Sequence, residues 1–402
     1  MIKYCITFNP TDCCGCRACE QICAHNAISF VPDEEGFSYP SIEESCCVNC
    51  GLCERVCPMV HSEKTFNAIG KAYAFQLSDK ERLLHSSSGG VFYAIASCVL
   101  QDGGVVYGAA FDGKIVRHKR VDRLNDIGDL MGSKYVQSDT ANTYLQVRKD
   151  LKDGKRVFYS GTPCQISGLR LYLRKEHENL LTADLVCHGT PSPRILSDTI
   201  SHIEDRLNAK FYRYSFRDKR VGGWSCSSSS SYEKGERRYY LKYSKEMEAY
   251  FKAFISGHLM RKSCYRCPFA CMERCGDITL ADYWGVKHLH PEFPNISKGI
   301  SLFVSNSEKG RQMLKTLSTS NFTKEIDYRQ AAEYNLNLLR PTPFSKDRDA
   351  CYQLFSEDYE GFLKKYYKAN YLKESVKTKV IYYIRNNEWL FSIASKLAHI
   401  RE

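Results

Sequence analysis

Cys13, Cys16, Cys19 and Cys23 follow the spacing C-x2-C-x2-C-x3-C, and Cys47, Cys50, Cys53 and Cys57 repeat it, the second run ending in Pro58. Two-residue gaps let three thiolates converge on one cube of iron and sulfide, while the fourth cysteine points away and serves the other cluster. The pattern predicts one four-iron, four-sulfur cluster on Cys13, Cys16, Cys19 and Cys57, and a second on Cys47, Cys50, Cys53 and Cys23. Zinc is the alternative, but it prefers two separated cysteine pairs around one tetrahedral ion and has no use for a triplet at this spacing. Clusters of this kind carry single electrons. The segment therefore reads as a wire, and the rest of the chain must hold its terminus.

The duplicated pattern is that of a bacterial two-cluster ferredoxin, with Ala24 where proline usually follows the fourth cysteine. Cys14 and Cys46 adjoin ligands but break the spacing, and are read as bystanders. Further cysteines lie downstream. Cys164 sits in Gly161-Thr162-Pro163-Cys164, at a strand-to-helix turn, and Cys187 ends the strand Leu180 to Val186, followed by His188 and Gly189. Cys264 and Cys267 form a C-x2-C pair after the amphipathic stretch Met247 to Met260. Thiolates from three segments can close a third cluster, yet Cys271 and Cys275 follow nearby, and zinc on Cys264, Cys267, Cys271 and Cys275 is an open alternative at this stage.

The elements that must position these groups follow from hydrophobic pattern. Residues Ser62 to Lys71 are polar and read as a linker; alternating strand and helix patterns then continue to about residue 210, which argues for an α/β core. Ligands collect at the carboxyl ends of strands in such sheets. The turn Ser86-Ser87-Ser88-Gly89-Gly90 opens the apolar helical run Val91 to Leu100, a place where hydroxyls, backbone N–H groups and the helix dipole can meet a phosphate, or where serines merely cap and glycines relieve crowding. Cys226 to Ser231 is a serine run between aromatics that suggests a hairpin. From about residue 311 the chain reads as charged and helical, ending in a basic, aromatic, amphipathic stretch suited to a partner, to its own protein, or to a peripheral contact with an anionic membrane.

Composition sets the outer limits. The chain has 402 residues and 20 cysteines, about half of them in the first sixty positions, and no basic-then-apolar leader at its start, which points to a reducing cytoplasmic compartment. No run of eighteen apolar residues occurs. The net charge of +11 is carried by scattered rather than clustered Lys and Arg, which favours an acidic redox partner or a phosphate-bearing cofactor over nucleic acid.

Taken together, Ser86 to Gly90, Gly132-Ser133-Lys134-Tyr135-Val136-Gln137-Ser138, Gly161 to Gln165, Cys187-His188-Gly189, Phe216 to Arg220, and Asp277 to Gly285 resemble the coenzyme F420 hydrogenase/dehydrogenase beta-subunit family over roughly residues 70 to 310. The resemblance implies an FAD-binding oxidoreductase that links iron–sulfur clusters to a hydride carrier, coenzyme F420 in archaeal members. It also implies a third four-iron, four-sulfur cluster on Cys164, Cys187, Cys264 and Cys267, and makes Ser86, Ser87, Ser88, Gly89, Gly90, Lys134, Gly161 and Thr162 the candidate flavin contacts.

The expected organisation is then an α+β ferredoxin-like domain (1–62), an α/β flavin-binding domain in two parts (70–150 and 151–310) and a helical basic extension (311–402). The implied function is electron transfer between clusters and FAD with hydride exchange to a small molecule, in company with a redox partner protein or subunit. Its rivals are a reductase of a different substrate, a non-catalytic electron-transfer subunit and a zinc-stabilised interaction module. No catalytic acid or base is identifiable; His188 and Asp282 with Trp284 have structural readings at least as good as functional ones.

Overall fold

The computed structural model describes residues 10–242 and 244–367. The basic C-terminal stretch expected to meet a partner or membrane lies outside these residues. Strands are β1 Ile28–Pro32, β2 Ser38–Ile42, β3 Lys71–Gln76, β4 Val105–Asp112, β5 Ile115–Val121, β6 Val157–Gly161, β7 Leu180–Leu185, β8 Lys210–Ser215, β9 Ser229–Lys234, β10 Arg237–Leu241, β11 Ile278–Asp282, β12 Ser301–Ser305 and β13 Phe322–Ile326. Among the described residues no helix is long and apolar enough to cross a membrane.

An eight-stranded mixed sheet, in the order β13-β3-β12-β11-β7-β6-β4-β5, dominates the molecule. Strands β4, β6, β7 and β11 pair in parallel, β12 is antiparallel to β11, and β3 is antiparallel to β12, so β3 runs with the parallel set. Continuous apolar runs such as Val157-Phe158-Tyr159, buried along their whole length, mark strands covered on both faces. Phe158, Val106 and Phe303 pack beneath helix Val91–Gln101, while Val157, Tyr159 and Tyr107 face helices Thr143–Lys152 and Pro163–Leu173 on the other side.

Residues 10–60 include the helix Ala18–Ile22, the hairpin β1–β2 and the helix Leu52–Arg55, and they are built into the larger core: Ala18 and Val56 belong to the apolar cluster under Pro163–Leu173. The stretch expected to be a linker is pinned. Thr65 is buried against Ser167 (2.8 Å), and Asn67 bonds the carbonyls of Arg274 and Gly276. The serine run forms β9, which pairs with both β8 and β10. The region expected as a helical extension from residue 311 departs from that reading, because β13 joins the main sheet beside β3. Its strand pattern is short and half-exposed, so periodicity alone does not set it apart from a loop.

Candidate functional site

The ferredoxin-type segment shows its duplication in the backbone. Gly15 (φ 71°) and Asn49 (φ 57°) stand at matching places within the two cysteine runs, as do Arg17 (φ 59°) and Gly51 (φ 70°), all left-handed. These turns let consecutive cysteines face one point. Cys13 and Cys16 lie close enough to Cys19 and Cys57 for those thiols to raise them electrostatically; burial is the larger cause for Cys13, pushed up to about 11 despite the nearby Arg261. Thus the structure brings Cys57 to the first triplet. Cys19, Cys23, Cys47 and Cys53 share a small cluster with Ile28, Phe30 and Ile42, and Cys50 is exposed. Backbone N–H groups of Gly15 and Ala27 each donate to a cysteine sulfur, Cys13 and Cys23 respectively, at 3.4 Å.

Fully buried Arg261 clamps this loop to the rest of the chain. Its guanidinium donates to the Cys13 carbonyl (2.5 Å), the Ser38 carbonyl (2.9 Å) and the Gln137 side chain (3.1 Å). Ser263 also donates to the Cys13 carbonyl, Gln137 to that of Cys14 and Thr140 to that of Cys16. Gly15 takes a left-handed φ of 71° that a side chain would strain, and a Cβ there would lie 2.3 Å from the Gln137 amide nitrogen, which would have to move.

Immediately beyond this clamp lies a pocket lined by Cys164, Cys187, Cys264 and Cys267, together with Cys14, Thr162 and His188. Cys164 and Cys187 follow β6 and β7 at the carboxyl edge of the sheet, where Thr162 and Gln165 form a capping box that starts helix Pro163–Leu173. Burial pushes the Cys187 thiol up to about 12, with Cys264 and Cys164 adding to it; Cys267 is raised in turn by burial and by Cys164, Cys264 and Cys187. Four thiols that hinder one another's ionisation are a donor set that suits an iron–sulfur cube, whose positive irons would hold them as thiolates.

Cys271 and Cys275 turn elsewhere. The Cys275 thiol donates to the Pro163 carbonyl (3.1 Å) behind the pocket wall, and Cys271 to the Glu273 carbonyl (3.1 Å). Among the described residues no three His, Cys, Asp or Glu side chains converge on a single metal ion. His188 is engaged by Asn337, Thr342 and the Ile255 carbonyl.

The candidate flavin contacts fall in two places. Thr162 lines the cysteine pocket and Gly161, the last residue of β6, precedes it, whereas Ser86 to Gly90 follow β3, three strands away from β7. Of the two readings left open for this turn, the hydrogen bonds bear on the capping one: Ser86 donates to the Arg82 carbonyl, Ser88 to that of Ile300, and Ser87 accepts from Ser133 N–H, while Gly90 (φ 84°) is the cap residue. The serines therefore brace the turn. Lys134 stands by it, donating to the carbonyls of Asp129 and Met131; burial and the Arg213 charge push its ammonium down to about 7, while the Asp129 carboxylate pairs with Lys119. The Asp129 carboxylate acts on both lysines, and an ammonium in this position can also meet an anionic group such as a phosphate.

Sequence reasoning missed the centre of this region. Buried Arg217 donates to both oxygens of Asp282 (2.7 and 3.1 Å), to the Tyr135 hydroxyl and to the Ser87 carbonyl. Trp224 donates to Asp282 (2.7 Å) and stacks on Trp284 at 5.2 Å, and Arg217 lies over the Trp284 ring at 5.0 Å. Trp284 is 42% exposed, so this flat aromatic surface opens outward. The signal was present in Phe216 to Arg220 and in Asp277 to Gly285, among the stretches that carried the resemblance.

Residues 154–330 match the family described as the carboxyl-terminal part of the coenzyme F420 hydrogenase/dehydrogenase beta subunit. Over these residues the chain is similar to that beta-subunit family. Residues 12–60 match the 4Fe-4S dicluster domain. A chain of the F420-reducing NiFe hydrogenase complex from Methanosarcina barkeri is similar in structure, with 16% identity over 71% of this chain and 93% of that one and a TM-score of 0.42. No curated protein matches.

Within the beta-subunit segment lie Cys164, Cys187, Cys264, Cys267, Arg217, Trp224 and Asp282; Ser86 to Gly90 and Lys134 precede it. The dicluster match contains Cys13 to Cys57 in full.

Proposed function

We propose that this chain is an iron–sulfur flavoprotein oxidoreductase of the beta-subunit type. In this reading Cys13, Cys16, Cys19 and Cys57 hold one four-iron, four-sulfur cluster, Cys47, Cys50, Cys53 and Cys23 a second, and Cys164, Cys187, Cys264 and Cys267 a third. A flavin, when bound, supplies the exchange between single electrons and hydride. Lys134 would face its phosphates and the Trp224–Trp284 surface with Arg217 its ring region; the small-molecule hydride carrier would be coenzyme F420 or a similar planar acceptor.

The observation that carries the reading is the alignment of both groups along one edge of the sheet. Cys164 and Cys187 of the pocket follow β6 and β7, and Trp284 of the tryptophan surface follows β11. From β7 to β3 is three strand spacings, roughly 14 Å, short enough for electrons to cross within one rigid core. What the chain itself contributes is fixed distance, the buried Arg217 beside the tryptophan surface and the burial of the pocket thiols.

The test is anaerobic purification followed by iron, acid-labile sulfide, zinc and flavin analysis. About twelve irons and one FAD per chain support the reading and make F420 the first acceptor to assay. About eight irons without flavin would reject it in favour of an electron-transfer subunit, and zinc in the pocket would reject the third cluster.

A further inference from the structure

The chain segments that bring cysteines to the pocket are joined behind it by one buried node. Arg274, Asp184 and Cys275 are all fully buried. Asp184 lies on β7, three residues before Cys187. Its carboxylate accepts from Arg274 Nη2 (2.9 Å) and Nε (3.1 Å), and from the backbone N–H groups of Cys275 (3.1 Å) and Gly276 (2.8 Å). Arg274 also donates to main-chain carbonyls: Nη2 to Leu185 (2.9 Å), two residues before Cys187, and Nη1 to Phe269 (2.7 Å), two residues after Cys267. The Cys275 thiol donates to the carbonyl of Pro163 (3.1 Å), the residue directly before Cys164. Each ligand-bearing segment is thus held close to its cysteine by the same node.

A buried ion pair often brings no net stability over apolar packing of the same volume, because both charges lose their hydration. What a guanidinium does fix is direction, since its planar fork holds partners at set angles. Ligating groups must converge within about half an ångström of their working positions, and the groups behind them set that convergence. We propose that Arg274, with Asp184 and Cys275, is the positioning group of the third cluster, setting the spacing among the Pro163–Cys164 turn, the end of β7 and the Cys264–Cys267 loop. The inference rests on the three-cluster reading above. It gives Cys275, a metal-ligand candidate by sequence, the task of a hydrogen-bond donor instead.

The experiment uses the full chain, purified anaerobically as wild type, Arg274→Lys, Cys275→Ala and Cys275→Ser. It reads iron per chain, the electron paramagnetic resonance of the reduced protein and the midpoint potential of each signal, with circular dichroism to check the fold. Expected is a wild-type count of about twelve irons. In Arg274→Lys, which keeps the charge but not the fork, one cluster signal changes shape and potential, or is lost with about four irons, while the other two stay as in the wild type. Cys275→Ala disturbs the same signal less, and Cys275→Ser, whose hydroxyl still donates to the Pro163 carbonyl, restores it. Signals unchanged in every folded variant would overturn the positioning role, as would equal disturbance of all three clusters, the mark of a merely structural loss. Loss of about four irons in Cys275→Ser as well as Cys275→Ala would overturn it by making Cys275 a ligand. A wild-type count of about eight irons would instead overturn the three-cluster reading itself, and that result is read before any variant is made.

Discussion

At the scale of single residues, buried polar groups carry predictions independent of any cofactor. His118 is buried, with Ser138 Oγ at 2.6 Å from Nδ1 and the Ser160 carbonyl at 3.0 Å from Nε2, a pairing that suits the neutral ring with its proton on Nε2. Burial drives its pKa down to about 4 from an ordinary 6.5. Between those values the unfolded chain binds a proton that the folded chain refuses, so stability falls as pH drops from about 6.5 to about 4 and this loss is complete below that. Denaturant midpoints measured across that range should decline less steeply in His118→Asn than in the wild type. The residue scale is also where the sequence was most informative. Cysteine spacing grouped Cys57 with the first triplet, and the fold places it near Cys13 and Cys16. It gave no sign of Arg217, whose partners Asp282 and Ser87 come from distant parts of the chain.

At the scale of elements, the turn after β3 shows how little room the sheet leaves. A Cβ on Gly89 would lie 2.2 Å from the Phe75 carbonyl and 2.5 Å from the Ser301 nitrogen, both main-chain atoms of the sheet. Gly89→Ala should therefore cost on the order of 3 kcal/mol and lower the melting temperature, whereas Gly128→Ala, with nothing within 4 Å, should leave it nearly unchanged. The glycine pair was visible in sequence as a helix opening. Which groups its serine hydroxyls meet was not, since partners such as the Ile300 carbonyl lie more than two hundred positions away. For the same reason the alternating core was readable up to about residue 210, while β13 was not: its exposed, short pattern takes its place only from pairing with β3.

At the scale of the whole molecule, the cluster-bearing segment is held by more than the Arg261 clamp. Arg348, fully buried, pairs with Glu35 through two hydrogen bonds (2.7 and 2.5 Å) and reaches the Met260 carbonyl (3.0 Å). Removing one partner of such a pair strands the other; Arg348→Ala should cost about 3 kcal/mol. Guanidinium unfolding gives the loss, and limited proteolysis should show earlier cutting between residues 24 and 46 than in the wild type. The order of the main sheet has a different consequence, for synthesis. Strand β3 pairs with β12 and β13 alone, both made more than two hundred residues later. At ~5–20 residues per second, a growing chain leaves that strand without partners for tens of seconds after the cysteine runs have emerged. Iron–sulfur assembly factors thus meet an N-terminal segment whose future binding site does not yet exist, and cluster loading can precede completion of the fold that will bury it.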